Sequence, residues 1–123
     1  MAKTVYIIED DEYIRSALED LLTGEGYNVL TFRHGREALD RLQQATTQLP
    51  DLVLLDLMMP VMNGYQFREE IAKDPRLAKL SIIVLSANGQ DEARGLERSG
   101  CVFVRKPIDL ENFLQVLTSQ ISP

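Results

Sequence analysis

The chain has 123 residues, of which 45% are hydrophobic and 26% charged, enough to bury the core of one domain without disulfides and unlike a disordered or fibrous composition. Its formal net charge of -6 argues against direct nucleic-acid binding, because phosphate backbones attract basic faces. One cysteine, Cys101, forms no internal bridge, so a reducing cytoplasm suits the fold.

In chain order, Thr4 to Ile8 opens as an apolar, β-branched run and reads as a first strand. Four acidic residues, Glu9, Asp10, Asp11 and Glu12, follow at once, which no signal-peptide core would contain, and no apolar run reaches membrane-spanning length. Ile14, Leu18, Leu21 and Leu22 then make a helical stripe, with Gly24 and Gly26 expected to stop it. Tyr27 to Phe32 is a second strand, His34 a surface loop residue, and Ala38, Leu42 and Ala45 the stripe of a second helix.

Leu52 to Leu55 runs apolar without alternation, as a parallel strand covered on both faces requires. After the turn chemistry of Asn63 and Gly64, a third helix carries Phe67 and Ile71 and ends before Pro75. Ser81 to Leu85 is a fourth strand and Cys101 to Val104 a fifth, separated by a weakly patterned helix from Gln90 to Ser99 that contains Gly95 and stops at Gly100. Leu110, Phe113, Leu114, Leu117 and Ile121 form the last helix, with Asp109 as its N-cap and Ile108 stapled to Phe113. Five strand–helix alternations predict a three-layer α/β domain over residues 1–123, with right-handed crossovers and its chemistry at the carboxyl ends of the strands.

That topology has a chemical consequence. The acidic run, Asp56, Ser86 with Ala87, and Arg105 with Lys106 each end a strand, so a parallel sheet brings all four groups to one edge. Two carboxylates about 5 Å apart repel by about 3 kcal/mol at an effective dielectric of about 20, so Glu9, Asp10 and Asp56 together want a cation. Mg2+, which favours oxygen ligands, is the natural candidate. Taken alone, the run from Glu9 to Glu12 reads equally well as a solvated loop capping the first helix. Asp56 is harder to dismiss, since a carboxylate ending a strand built for burial is costly unless it is used.

These motifs resemble the receiver family of two-component signalling over essentially the whole chain. Its marks are Glu9-Asp10-Asp11 ahead of Arg15, Leu-Leu-Asp56-Leu-Met-Met-Pro60 with Gly64, Leu-Ser86-Ala87, and Arg105-Lys106-Pro107, in order and at receiver spacing. The resemblance implies a flavodoxin-like (βα)5 fold with strand order 2-1-3-4-5 and a cis Lys106–Pro107 bond. It also implies that Asp56 is the phosphoacceptor, that Asp10 ligates Mg2+ (Mn2+ as a substitute) with Glu9 acting through water, and that Met58 lends a carbonyl. Lys106, Ser86 and the backbone of Ala87 would bind the phosphoryl group; Ser86 and Phe103 would form the switch, and Met58 and Asn88 would flank the path of attacking water. Implied partners are a sensor histidine kinase or histidine phosphotransfer protein and a downstream effector reached through the face of the fourth helix, fifth strand and fifth helix, with no membrane and a cytoplasmic setting.

The chemistry also stands on the residues themselves. A metaphosphate-like transition state spreads charge over three oxygens, which a cation, the Lys106 ammonium and the Ser86 hydroxyl are suited to stabilise while Asp56 attacks. Three other readings compete. A phosphatase resembling the haloacid dehalogenases would need a second acid where Met58 stands, and a flavodoxin-type flavin carrier would not have an acidic first loop. A receiver-like interaction module that is never phosphorylated would not need the full set of Glu9, Asp10, Asp56, Ser86 and Lys106.

Overall fold

The computed structural model describes residues 3–44, 48–56, 64–86, 102–105 and 109–121, with Gly64, Ser86, Val102, Phe103, Arg105 and Leu110 described by their backbone alone. In order the elements are β1 (Thr4–Ile8), α1 (Glu12–Gly24), β2 (Asn28–Phe32), α2 (Gly35–Leu42), β3 (Leu52–Asp56), α3 (Gly64–Ala72), β4 (Ile82–Ser86), β5 (Val102–Arg105) and α4 (Leu110–Ile121). The helix expected between Gln90 and Ser99, with Gly100 and Cys101, lies outside the described residues, as do Ala45 and Ile108. So α4 is the helix read as the fifth from the sequence.

All the strand pairs are parallel and the sheet order is β2-β1-β3-β4-β5, the flavodoxin-like order. Strand side chains alternate between faces, and the core divides accordingly. Tyr6, Ile8, Val53, Leu55, Ile82 and Val84 pack with Leu39 and Leu42 of α2 and Phe67 and Ile71 of α3. Val5, Ile7, Leu52, Leu54, Ile83, Leu85 and Val104 pack with Leu18 and Leu22 of α1 and Phe113 and Leu117 of α4. Every residue of β3 is buried, which is why its sequence shows no polar alternation. At its amino end β3 is tied to β1 twice: Asp51 N–H donates to the Thr4 carbonyl at 2.8 Å, and Thr4 N–H donates to Asp51 Oδ2 at 2.8 Å.

Helix ends follow local chemistry. α1 continues through Gly24, which therefore does not stop it; the terminator is Gly26, at φ 94°. Gly26 N–H donates to the Thr23 carbonyl and Tyr27 N–H to the Leu22 carbonyl, each at 3.1 Å, which is the Schellman pattern and needs a left-handed residue. A methyl group would meet nothing within 4 Å at either glycine, so conformation alone decides the effect of adding one. Gly24→Ala should raise stability by about 0.5–1 kcal/mol, whereas Gly26→Ala should lower it by about 1–2 kcal/mol. Urea midpoints moving in opposite directions would show this; two shifts of the same sign would contradict it.

His34, read from the sequence as a surface loop residue, is half-buried and caps α2: its Nδ1 accepts from Glu37 N–H at 3.3 Å. Glu37 reaches back in turn, accepting from Arg33 N–H at 2.9 Å and from the Arg33 guanidinium. The Arg33 backbone N–H, then the Arg33 side chain, hold the Glu37 carboxyl below its ordinary value of 4.5, against an opposing desolvation effect. A lowered folded value means the contribution is complete above 4.5 and fades as pH falls through that lowered value. The stability difference between the wild type and Glu37→Gln should therefore shrink in acid, and a gap that widens would reverse the assignment. At the other end of α2, Arg76 Nη2 donates to the Leu42 carbonyl at 2.7 Å.

α4 begins as expected, with Asp109 Oδ1 accepting from Asn112 N–H at 3.2 Å and Phe113 N–H donating to the Asp109 carbonyl at 2.8 Å. Among the described residues no helix is long and apolar enough to cross a membrane.

Candidate phosphoacceptor and cation site

The parallel register places Ile8 beside Leu55, Asp56 beside Leu85, and the Ser86 backbone beside that of Arg105. Glu9 continues the β1 ladder by one bond, its N–H donating to the Phe32 carbonyl at 3.1 Å. Glu9 and Asp56 thus leave adjacent strands at the same carboxyl edge.

The acidic run divides by residue. Glu9 is 0% exposed and Asp56 5%, the two buried charged residues among those described, whereas Asp10 is exposed. Carboxylate oxygens of Glu9, Asp10 and Asp56 lie within 4.8 Å of one another. Asp11 does something different: its Oδ1 accepts from Ile14 N–H at 3.0 Å as the N-cap of α1, and Glu12 sits in the first turn, where the helix dipole favours an acid. The run thus divides, Glu9 and Asp10 clustering with Asp56 while Asp11 and Glu12 serve the start of α1.

Three carboxylates so close, two of them withdrawn from water, form a hard, all-oxygen donor set that suits a dication. Among the described residues, Asp11 N–H donates to Glu9 Oε2 at 3.4 Å, and Arg15 Nη1 donates to the Glu9 carbonyl at 2.9 Å and the Asp10 carbonyl at 3.5 Å. Arg15 is a contributor that the sequence reading used only as a family mark; its place four residues after the N-cap Asp11, within reach back over the turn, is the signal available for it.

Residues 5–118 match the family described as the response regulator receiver domain. The chain belongs to the response regulator receiver family. Among its relatives, the polar-differentiation response regulator DivK of Brucella anthropi is 31% identical over 124 residues, covering 98% of each chain. The regulator ycf29 of Pyropia yezoensis is 29% identical across 99% of this chain, which spans 54% of the ycf29 length. A response-regulator crystal structure from Chloroflexus aurantiacus superposes with a TM-score of 0.88 at 26% identity, covering 100% of both chains. The protein is therefore a phosphoacceptor receiver of two-component signalling, with the flavodoxin-like fold of that family.

Of the receiver positions named from the sequence, the structure brings together Glu9, Asp10 and Asp56 and sets the backbone of Ser86 and of Phe103 on neighbouring strands β4 and β5. Met58, Ala87, Asn88, Lys106 and the Lys106–Pro107 bond lie outside the described residues.

Proposed function

We propose that Asp56 is the phosphoacceptor of this receiver, with Mg2+ held by Asp10, Asp56 and the Met58 carbonyl and by Glu9 through water, and with Mn2+ able to substitute. The observation that carries this reading is the cluster itself: the carboxylate oxygens lie within 4.8 Å of one another, and two of the three acids are buried at the carboxyl edge of the sheet. Bound there, Mg2+ would offset two of the three negative charges of the cluster and stabilise charge developing on the transferred group.

The donor is a phosphohistidine on a sensor histidine kinase or histidine phosphotransfer protein. An Asp56 carboxylate oxygen forms the new P–O bond as the P–N bond breaks, and the imidazole leaves with the bond's electron pair. Lys106, Ser86 and the backbone of Ala87 receive the phosphoryl oxygens, while Met58 and Asn88 set how readily water reaches the phosphorus. Ser86 and Phe103 carry the signal to the β5–α4 side, where a downstream effector protein or domain reads it. The only reactions the domain catalyses are its own phosphorylation and dephosphorylation. One unpaired cysteine and the kinase as donor support a cytoplasmic location, and the net charge of -6 supports a protein target in preference to DNA.

Acetyl phosphate with Mg2+ should add the mass of one phosphate as an acid-stable, base-labile adduct that maps to Asp56. An unmodified chain under conditions that label other receivers would favour an interaction module that is never phosphorylated.

A further inference from the structure

We propose that Arg15 is a positioning residue for the acid cluster, holding the β1–α1 turn in the shape that presents Glu9 and Asp10 to the cation. The inference rests on the Mg2+ reading above and adds a determinant of affinity that supplies no ligand atom.

Within Glu9, Asp10 and Asp11 the chain must leave an extended strand and enter a helix, and the same residues carry two of the three clustered acids. Nearly every group of that turn is tied down. Glu9 N–H is held by the Phe32 carbonyl on β2, Asp11 N–H by Glu9 Oε2, and Asp11 Oδ1 by Ile14 N–H. The carbonyls of Glu9 and Asp10 are both met by one nitrogen, Arg15 Nη1, at 2.9 and 3.5 Å. Arg15 N–H meanwhile donates to the Asp11 carbonyl at 2.9 Å, so the side chain that grips the turn is anchored in the helix that follows it. Fixing two successive carbonyls fixes the peptide planes between them, and with those the directions in which the Glu9 and Asp10 side chains leave the backbone. Mg2+ tolerates little deviation from octahedral geometry, so a loosened turn costs it more than it would cost a larger ion.

Arg15 is also a cation near a cation site, and by charge alone its removal would tighten Mg2+ binding. The two effects have opposite signs, which makes them separable. Lysine keeps the charge but replaces the planar fork with a point donor on a different stem.

Mg2+ affinity would be measured by calorimetry at constant ionic strength on the wild type, Arg15→Lys, and Arg36→Lys as a charge-conserving control on the exposed face of α2. Arg15→Lys should raise the Mg2+ dissociation constant about tenfold, as supporting contacts behind metal ligands commonly do, with Arg36→Lys unchanged and the metal-free melting temperature of Arg15→Lys close to wild type. An unchanged dissociation constant in Arg15→Lys, even with a lowered melting temperature, would make Arg15 merely structural and overturn the proposal, while wild-type binding would leave the cation site standing. Absence of Mg2+ binding by the wild type would remove the cation reading and this inference with it. Should Arg15→Lys fail to fold, Arg15→Gln takes its place: weaker binding despite the lost positive charge supports positioning, and tighter binding overturns it.

Discussion

Asp56→Asn should take up no phosphate from acetyl phosphate, while its circular dichroism and cooperative unfolding match those of the wild type. The change is nearly isosteric at a position only 5% exposed, so the packing around β3 is kept. What disappears is the anionic oxygen that attacks phosphorus; an amide has no comparable nucleophile. The same change removes one of three clustered charges, so Mg2+ affinity should fall by about tenfold or more, because charge count is a main determinant of such sites. Intact-mass analysis with peptide mapping and a Mg2+ titration check both parts. One equivalent of phosphate still arriving, on another residue, would show that Asp56 had been misassigned.

Phe113→Ala should destabilise the fold by about 3–5 kcal/mol, a large share of the roughly 5–15 kcal/mol that holds a domain of this size together. Phe113 is fully buried and packs in the cluster that joins α4 to Val104, Leu85 and Ile83. With Leu117 it is one of two α4 side chains among the described residues that lie fully inside that cluster, so the cavity cannot easily be refilled from them. Leu114, only partly buried on the same helix, should cost far less when truncated. Urea unfolding of the two variants, with m-values checked for constancy, gives the comparison. A loss below about 1 kcal/mol for Phe113→Ala would mean that α4 is not anchored through this ring.

The sheet was legible because buried parallel strands have an unmistakable composition. Leu52 to Leu55 and Ile82 to Leu85 carry no polar side chain, and both are strands with Asp56 and Ser86 as their last residues. Legibility of the candidate site came from topology: only a parallel sheet makes residues 9 and 56 neighbours, and they are. Helix ends were harder to read. Two glycines two residues apart offer the same composition signal, and only backbone geometry shows that Gly26 and not Gly24 adopts the positive φ. His34 does lie in the loop before α2, but its capping role was missed because histidine is an uncommon cap, although Glu37 three residues on was a usable hint. In the acidic run the family resemblance singled out Glu9 and Asp10, but four consecutive carboxylates have equivalent chemistry until a strand end buries the first and a helix start claims the third, so the capping role of Asp11 needed the structure.

The double bond between Thr4 and Asp51 lies at the amino end of the sheet, far from any chemistry, yet it bears on alignment at the opposite edge. Strands that are apolar on both faces discriminate poorly between registers, since sliding β3 by one residue would exchange leucine for valine or leucine and leave both layers greasy. A polar contact marks the alignment that is adopted: the Asp51 carboxylate accepts from Thr4 N–H while Asp51 N–H donates to the Thr4 carbonyl. Because a strand is nearly inextensible, the alignment marked there runs along β1 and β3 like the zero mark of a ruler to the residues that stand side by side at the other end. Thr4 and Asp51 at one end and Glu9 and Asp56 at the other belong to the same register.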